Sequence, residues 1–190
     1  MFSTDILNEF IEQSRELNLF VKEKFKNLDS HQLNWRPGNK RWSAGECFKH
    51  LVLLNNRYIP GLKTAAIPGQ LGNKNDFKFG HSIFGRMILF FVKPGMKIKS
   101  KTSFEYNTLN SRINEKIVAE FLELNEELIE LAKQSFGADL KSIKIVSPLS
   151  KHIKYNAGDT YRIIWNHNKR HVNQAERVLL APGFPARKGW

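Results

Sequence analysis

The chain has 190 residues, of which 41% are hydrophobic, and its 30 basic and 18 acidic residues give a net charge of +12. This length suits one domain over residues 1–190, and no apolar run approaches the roughly 20 residues that a membrane-spanning helix needs. The single cysteine, Cys47, excludes an intrachain disulfide, and the first residues lack the basic start and apolar middle of a signal peptide. We therefore expect a cytoplasmic protein with no membrane partner.

Four segments have the apolar spacing of amphipathic helices. The first covers residues 5–25. The second begins after Ser43, because residues 43–46 match the capping box in which Ser43 and Glu46 satisfy free backbone amides reciprocally. Pro60 and Gly61 should end or kink this second helix.

The third helix is predicted over residues 111–136, and the fourth over residues 159–180 with Asp159 as its N-cap. About fifty residues separate the second helix from the third, which is too long for a plain loop. Within that connection, residues 82–92 are predicted to form a short helix and residues 97–106 an extended segment. The simplest assembly is an all-α four-helix bundle with one long crossover between helices 2 and 3.

Three histidines fall on the inward faces of two predicted helices. His50 lies midway along the second helix, and His167 and His171 lie four residues apart at core positions of the fourth. A buried imidazole without a partner costs free energy, so three of them at one level favour a shared divalent metal ion. Three protein ligands would leave one coordination position open, as in catalytic zinc sites.

Each feature has a plainer explanation when it is taken alone. A single buried histidine is more often a core residue with ordinary partners, and pairs spaced by four occur by chance on exposed helices. Cys47, one turn before His50, offers a fourth ligand but is more often a small core residue. Glu46 offers a carboxylate to orient His50, although its capping role already explains it. Three further histidines lie in predicted loops and receive no role: His31, His81 and His152.

These motifs resemble those of the DinB-like superfamily of small metal-binding helical bundles. The matching positions are Trp35 and Pro37, then Trp42, Ser43, Glu46 and His50, and finally His167, His171 and Gln174. The resemblance covers most of the chain and implies an up-down-down-up bundle. It also implies a three-histidine site for zinc, nickel or a similar ion, with Gln174 close to that site, and it makes a homodimer plausible.

The resemblance further implies an enzyme, with a low-molecular-weight thiol of the bacillithiol, mycothiol or glutathione type as cosubstrate. A metal-dependent S-transferase would join that thiol to a small electrophile. Hydrolysis by a metal-bound water is an alternative, as is a non-enzymatic module stabilised by metal or binding nucleic acid. Nucleic acid is the weaker expectation, because the lysine clusters around residues 93–101 and 141–154 lie in predicted connecting segments, and no known nucleic-acid-binding motif is present.

Overall fold

The computed structural model describes residues 1–70, 76–94 and 106–186. In chain order its elements are α1 (Ser3–Phe25), α2 (Ser30–Asn34), α3 (Ala44–Gln70), α4 (Ile83–Val92), α5 (Ile117–Gln134), β1 (Lys144–Ser147), β2 (Ser150–Asn156) and α6 (Ala157–Leu179). The described chain is mostly helical, and β1 pairs with β2 in a small antiparallel sheet that the all-α expectation missed. None of the described helices combines the length and the apolar character needed to cross a bilayer.

The long helices pack in pairs around two apolar clusters. α1 and α3 each lie against both α5 and α6, whereas α4 lies outside them, against α6 and β2. One cluster contains Leu62, Leu128 and Ile164, and the other contains Phe48 and Phe121. These contacts bury the apolar stripes that the sequence predicts for the four long helices.

A layer of buried amide side chains connects all four long helices. Asn55 donates to Asn168 (2.9 Å), Asn168 donates to Asn125 (3.4 Å), Asn125 donates to Asn18 (2.7 Å) and Asn18 donates to Glu126 (2.7 Å). Because unpaired polar groups are costly inside a protein, any sliding of one helix along another would break this chain of bonds. The layer therefore fixes the axial register of α3 and α6, the two helices that carry the histidines.

Of the two outcomes predicted at Pro60 and Gly61, an end or a kink, the end is wrong, because α3 continues to Gln70. Proline removes one helical hydrogen bond, but the turns after it bury Leu62 and Ala65 completely and Ala66 almost completely. Gly61 has a separate role, since a Cβ atom there would lie 2.8 Å from the side chain of Ile145 on β1. This glycine permits close approach of the hairpin and does not end the helix.

The third predicted helix begins six residues later than expected, at Ile117. The side chain of Asn34 accepts from the backbone N–H of Ile113 (2.8 Å) and donates to its carbonyl (3.0 Å). These two bonds hold Ile113 outside the helix, while its side chain remains in the core. The apolar spacing thus identified a core position correctly but assigned it to the wrong element.

The N-cap of α6 is Asn156 and not the predicted Asp159. The buried carboxylate of Asp159 accepts instead from the backbone N–H (2.8 Å) and hydroxyl (2.7 Å) of Ser82 and pairs with His81. It thereby anchors the start of α4, and this short helix confirms the prediction for residues 82–92. The extended segment predicted over residues 97–106 lies outside the described residues, apart from Tyr106.

Candidate metal centre

The structure brings His50, His167 and His171 together. His50 projects from α3 and the other two from α6, and one ring nitrogen of each lies within 4.8 Å of the others. The Nε2 atoms of His50 and His167 are 3.3 Å apart. Within the ranges that the structure describes, this is the one group of three or more histidine, cysteine or acidic side chains that lie close enough to share a metal ion.

Two of the rings are oriented through their Nδ1 atoms. Nδ1 of His50 lies 2.8 Å from the backbone carbonyl of Tyr106, and Nδ1 of His171 lies 3.0 Å from Oε1 of Gln174. Since both oxygens accept, each Nδ1 carries the proton and each Nε2 keeps a free lone pair. Metal-binding histidines usually have such an acceptor on the nitrogen that faces away from the metal.

His167 lies at the distance from His50 that a shared metal ion requires. Its Nδ1 is buried and has no hydrogen-bond partner in the described part of the chain, while its Nε2 faces Nε2 of His50. Two nitrogens bound at roughly 2.0–2.1 Å to one tetrahedral zinc ion would lie close to the observed 3.3 Å apart. Neutral imidazole nitrogens are also good donors for zinc and nickel. The residues present therefore fit a divalent ion.

The electrostatic environment keeps all three rings neutral. Burial lowers the pKa of His50, opposed in part by the bond to Tyr106, and lowers the pKa of His167 and His171 much further. The neighbouring histidines and Arg170 depress the pKa of His167 and His171 again. Because only the neutral ring donates a lone pair, the site is preset in the form that binds metal.

Trp42 covers one side of the cluster. Its ring centroid is 4.9 Å from that of His50 and 5.6 Å from that of His171. Trp42 belongs to the family motif, but its sequence position alone did not predict a place in the site. Its position directly before the capping residue Ser43 is the signal that could have found it.

Glu46 and Cys47 do not take the places that were considered for them at the site. The fully buried carboxylate of Glu46 accepts two hydrogen bonds from Arg36 (2.9 and 2.7 Å) and one from the N–H of Ser43 (2.7 Å), so the capping box is present and the acceptor for His50 is Tyr106. Cys47 packs in an apolar cluster, where burial raises the pKa of its thiol. A buried neutral thiol is a poor metal ligand.

Acid should destabilise the metal-free protein through these histidines. The pKa values of the three histidines are lowered in the folded state. Below about pH 6.5 these histidines are therefore protonated in the unfolded chain but remain neutral in the folded chain. The free energy of unfolding should then fall by up to about 1.4 kcal/mol per pH unit for each histidine. Urea unfolding between pH 7.5 and 5.5 measures this slope.

Two variants separate this effect from general acid instability. His167→Leu should flatten the slope, whereas His152→Ala, at an exposed position on β2, should leave it unchanged. A slope that is the same in wild type and His167→Leu would contradict the assignment of the effect to the cluster.

The comparisons with known proteins agree with this architecture. The family model of the DinB superfamily matches residues 12–175, a span that contains all three histidines and Gln174. No curated protein and no solved structure matches the chain. On the strength of a match over most of its length, this chain belongs to the DinB superfamily.

Proposed function

We propose that this protein is a metal-dependent enzyme whose ion, zinc or nickel, is held by His50, His167 and His171. The observation that carries the proposal is the convergence of three neutral rings, of which those of His50 and His167 are buried. The Nδ1 atoms of His50 and His171 are turned to acceptors. A divalent ion with three protein ligands has room for one more and lowers the pKa of a thiol or a water placed there.

The reaction that we propose is transfer of a low-molecular-weight thiol to a small electrophile. The thiol sulfur forms a bond to the electrophilic carbon, the leaving group departs with its electron pair, and the thiol proton passes to solvent. The chain's own contribution is positioning: the Tyr106 carbonyl and Gln174 hold His50 and His171 in place, and Trp42 covers one side of the histidines. The net charge of +12 would attract an anionic thiol.

The same proposal includes an up-down-down-up four-helix bundle made of α1, α3, α5 and α6 as a single domain over residues 1–190. It is supported by the contacts of α1 and α3 with both α5 and α6, and by the amide layer that joins all four helices. The connection from α3 to α5 is then the long crossover. A cytoplasmic location and a homodimer remain predictions from the sequence.

Thiol consumption tests the proposed reaction. The protein is loaded with zinc or nickel and mixed with glutathione, bacillithiol or mycothiol and an electrophile, either 1-chloro-2,4-dinitrobenzene or an epoxide. We expect thiol loss above the buffer rate with at least one pair, abolished by a chelator and by His167→Ala and retained in His152→Ala. Equal rates with and without bound metal would rule out the proposed mechanism.

Three other outcomes distinguish the alternative functions. Metal-dependent cleavage of an ester in the absence of thiol would identify a hydrolase. Loss of folding together with loss of metal, without turnover of any substrate, would indicate a structural metal. A salt-sensitive gel shift with DNA or RNA would support the nucleic-acid-binding module instead.

A further inference from the structure

A cavity separate from the histidine cluster lies between α1, α4 and α6. It has a volume of about 420 Å³ and is lined by residues of these three helices together with His81 and Lys93. None of the three clustered histidines lines it, and neither do Trp42 and Gln174. Its volume falls in the roughly 300–1,000 Å³ range of small-molecule sites. It is therefore a separate place where a ligand can bind.

The charged side chains of this cavity are mostly cationic. Arg86, Lys93 and Arg162 line it, and the acidic residue among its lining is Glu9. Glu9 is already paired with Arg162, whose Nη2 lies 2.6 Å from a Glu9 oxygen. Across the described ranges, no hydrogen bond or ion pair joins Arg86 or Lys93 to another side chain. The cavity thus holds two cations that no side chain of the described residues neutralises.

Arg162 contributes a further donor. Its Nε–H is buried and has no hydrogen-bond partner within the described residues, even though its Nη2 is bound to Glu9. A buried donor without an acceptor loses its bond to water and gains nothing in return. An anionic oxygen, such as that of a carboxylate, is the acceptor that a guanidinium binds best. The chemistry of this wall therefore favours an anion.

The remaining walls are apolar and partly aromatic. Trp165 and Tyr161 line the cavity from α6, and Leu89 and Phe90 line it from α4. Phe90 lines the cavity and is 53% exposed, so its ring is not fully covered by the protein. Aromatic side chains gain most from a flat partner stacked or set edge-on against them. These walls suit a planar apolar body.

The geometry points to a binding site for a small aromatic anion, with the acidic group of the ligand against Arg86, Lys93 and Arg162 and its ring against Trp165 and Phe90. The ligand class is an aryl carboxylate or sulfonate free in solution. This site is independent of the metal centre and stands whether or not the proposed transferase reaction is correct.

The probe that we choose is 2-naphthoate, and its neutral amide, 2-naphthamide, is the matched control. The full chain is first treated with a chelator, so that the carboxylate cannot bind a metal at the histidines. We expect isothermal titration to show saturable binding of one naphthoate per chain, and the amide to bind roughly tenfold more weakly or worse, as expected for loss of a charged hydrogen bond. The indole N–H resonance of Trp165, assigned by comparison with Trp165→Phe, should shift on titration.

Variants locate the binding. Arg86→Gln and Lys93→Gln should each weaken naphthoate binding several-fold and together by tenfold or more, whereas Lys144→Gln and Lys151→Gln, on β1 and β2 and outside the cavity lining, should not change it. Arg162→Lys tests the third cation while keeping a positive charge beside Glu9. No saturable binding, equal binding of acid and amide, or an unchanged affinity in the Arg86→Gln/Lys93→Gln double variant would each overturn the proposal.

Discussion

Replacing His167 with alanine should remove the metal ion from the protein. The Nε2 atom of His167 lies 3.3 Å from that of His50, and loss of this ring leaves two donors. Loss of a residue that only orients a ligand typically costs about 10- to 100-fold in metal affinity, so loss of a ligand should cost more. Elemental analysis of proteins purified without a histidine tag measures the metal content. It should fall from near one zinc or nickel ion per chain in wild type to near zero in His167→Ala.

The matched control is His152→Ala, which removes an exposed histidine on β2 and should keep the wild-type metal content. Thermal unfolding adds a second readout, because a bound metal stabilises only a chain that binds it. Excess zinc should raise the Tm of wild type and His152→Ala but not that of His167→Ala. A His167→Ala protein that retains stoichiometric metal would contradict the three-histidine site.

The variant His167→Leu tests how much stability the metal-free protein loses by burying the ring of His167. In the metal-free protein, Nδ1 of His167 is a buried polar atom without a partner in the described residues. An apolar side chain of similar volume removes that cost, so the metal-free His167→Leu protein should be at least as stable as metal-free wild type at pH 7. Stability and metal binding would then change in opposite directions at one residue.

The sequence predicts the helices well because their burial follows the 3.6-residue period. α1 begins two residues before the predicted start and ends at Phe25 as predicted, and α6 lies within two residues of its predicted bounds. Periodicity reports which face is buried, and it does so even at Ile113, which lies outside any helix. The family assignment from the short motifs is also confirmed.

The continuation of α3 beyond Pro60, the start of α5 and the β1–β2 hairpin were not predicted, because contacts between residues distant in the sequence determine them. Pro60 lies within α3 because the turns beyond it are buried, and Ile113 lies outside α5 because Asn34, about eighty positions earlier, binds its backbone. β1 alternates in exposure but is only four residues long, and β2 has no regular alternation. No local pattern contains this information.

The sequence predicted the three histidine side chains of the site but not the backbone carbonyl that orients one of them. Histidines at inward helical positions conflict with a purely apolar core, and this conflict is visible in the sequence. The acceptor for His50 is the carbonyl of Tyr106, and a backbone carbonyl has no sequence signature. Tyr106 also shows that the crossover contributes to the site, because it lies in the connection between α3 and α5.

The largest effect on stability is expected from Arg36→Met. Glu46 is fully buried, and the guanidinium of Arg36 is the group that balances its charge, through hydrogen bonds of 2.9 and 2.7 Å. Removing one partner of a buried ion pair costs about 3–5 kcal/mol, because the remaining charge stays buried. The side chain of Arg36 is 28% exposed, so water can replace part of it and the lower end of that range applies.

Arg36→Met should therefore reduce the free energy of unfolding by about 3 kcal/mol, measured from urea midpoints at an unchanged m value. For a chain of this size, that loss lowers the Tm by roughly 6–12 °C. The double variant Arg36→Met/Glu46→Gln should recover more than half of the loss, since the substituted amide carries no charge yet can still accept from the N–H of Ser43. A double variant no more stable than Arg36→Met would show that the cost comes from packing and not from the buried charge.

The ion pair between Arg36 and Glu46 is also connected to the metal centre. Glu46 lies one turn before His50 on α3. Its backbone carbonyl accepts from the hydroxyl of Thr108, two residues after the Tyr106 whose carbonyl contacts His50. Glu46 thus connects the start of α3 to the segment whose carbonyl orients His50. If that connection positions the ring, folded Arg36→Met protein at low temperature should bind zinc roughly 10-fold more weakly than wild type, and the double variant should regain most of that affinity. If folded Arg36→Met protein binds zinc as tightly as wild type does, the ion pair contributes to stability and does not position His50.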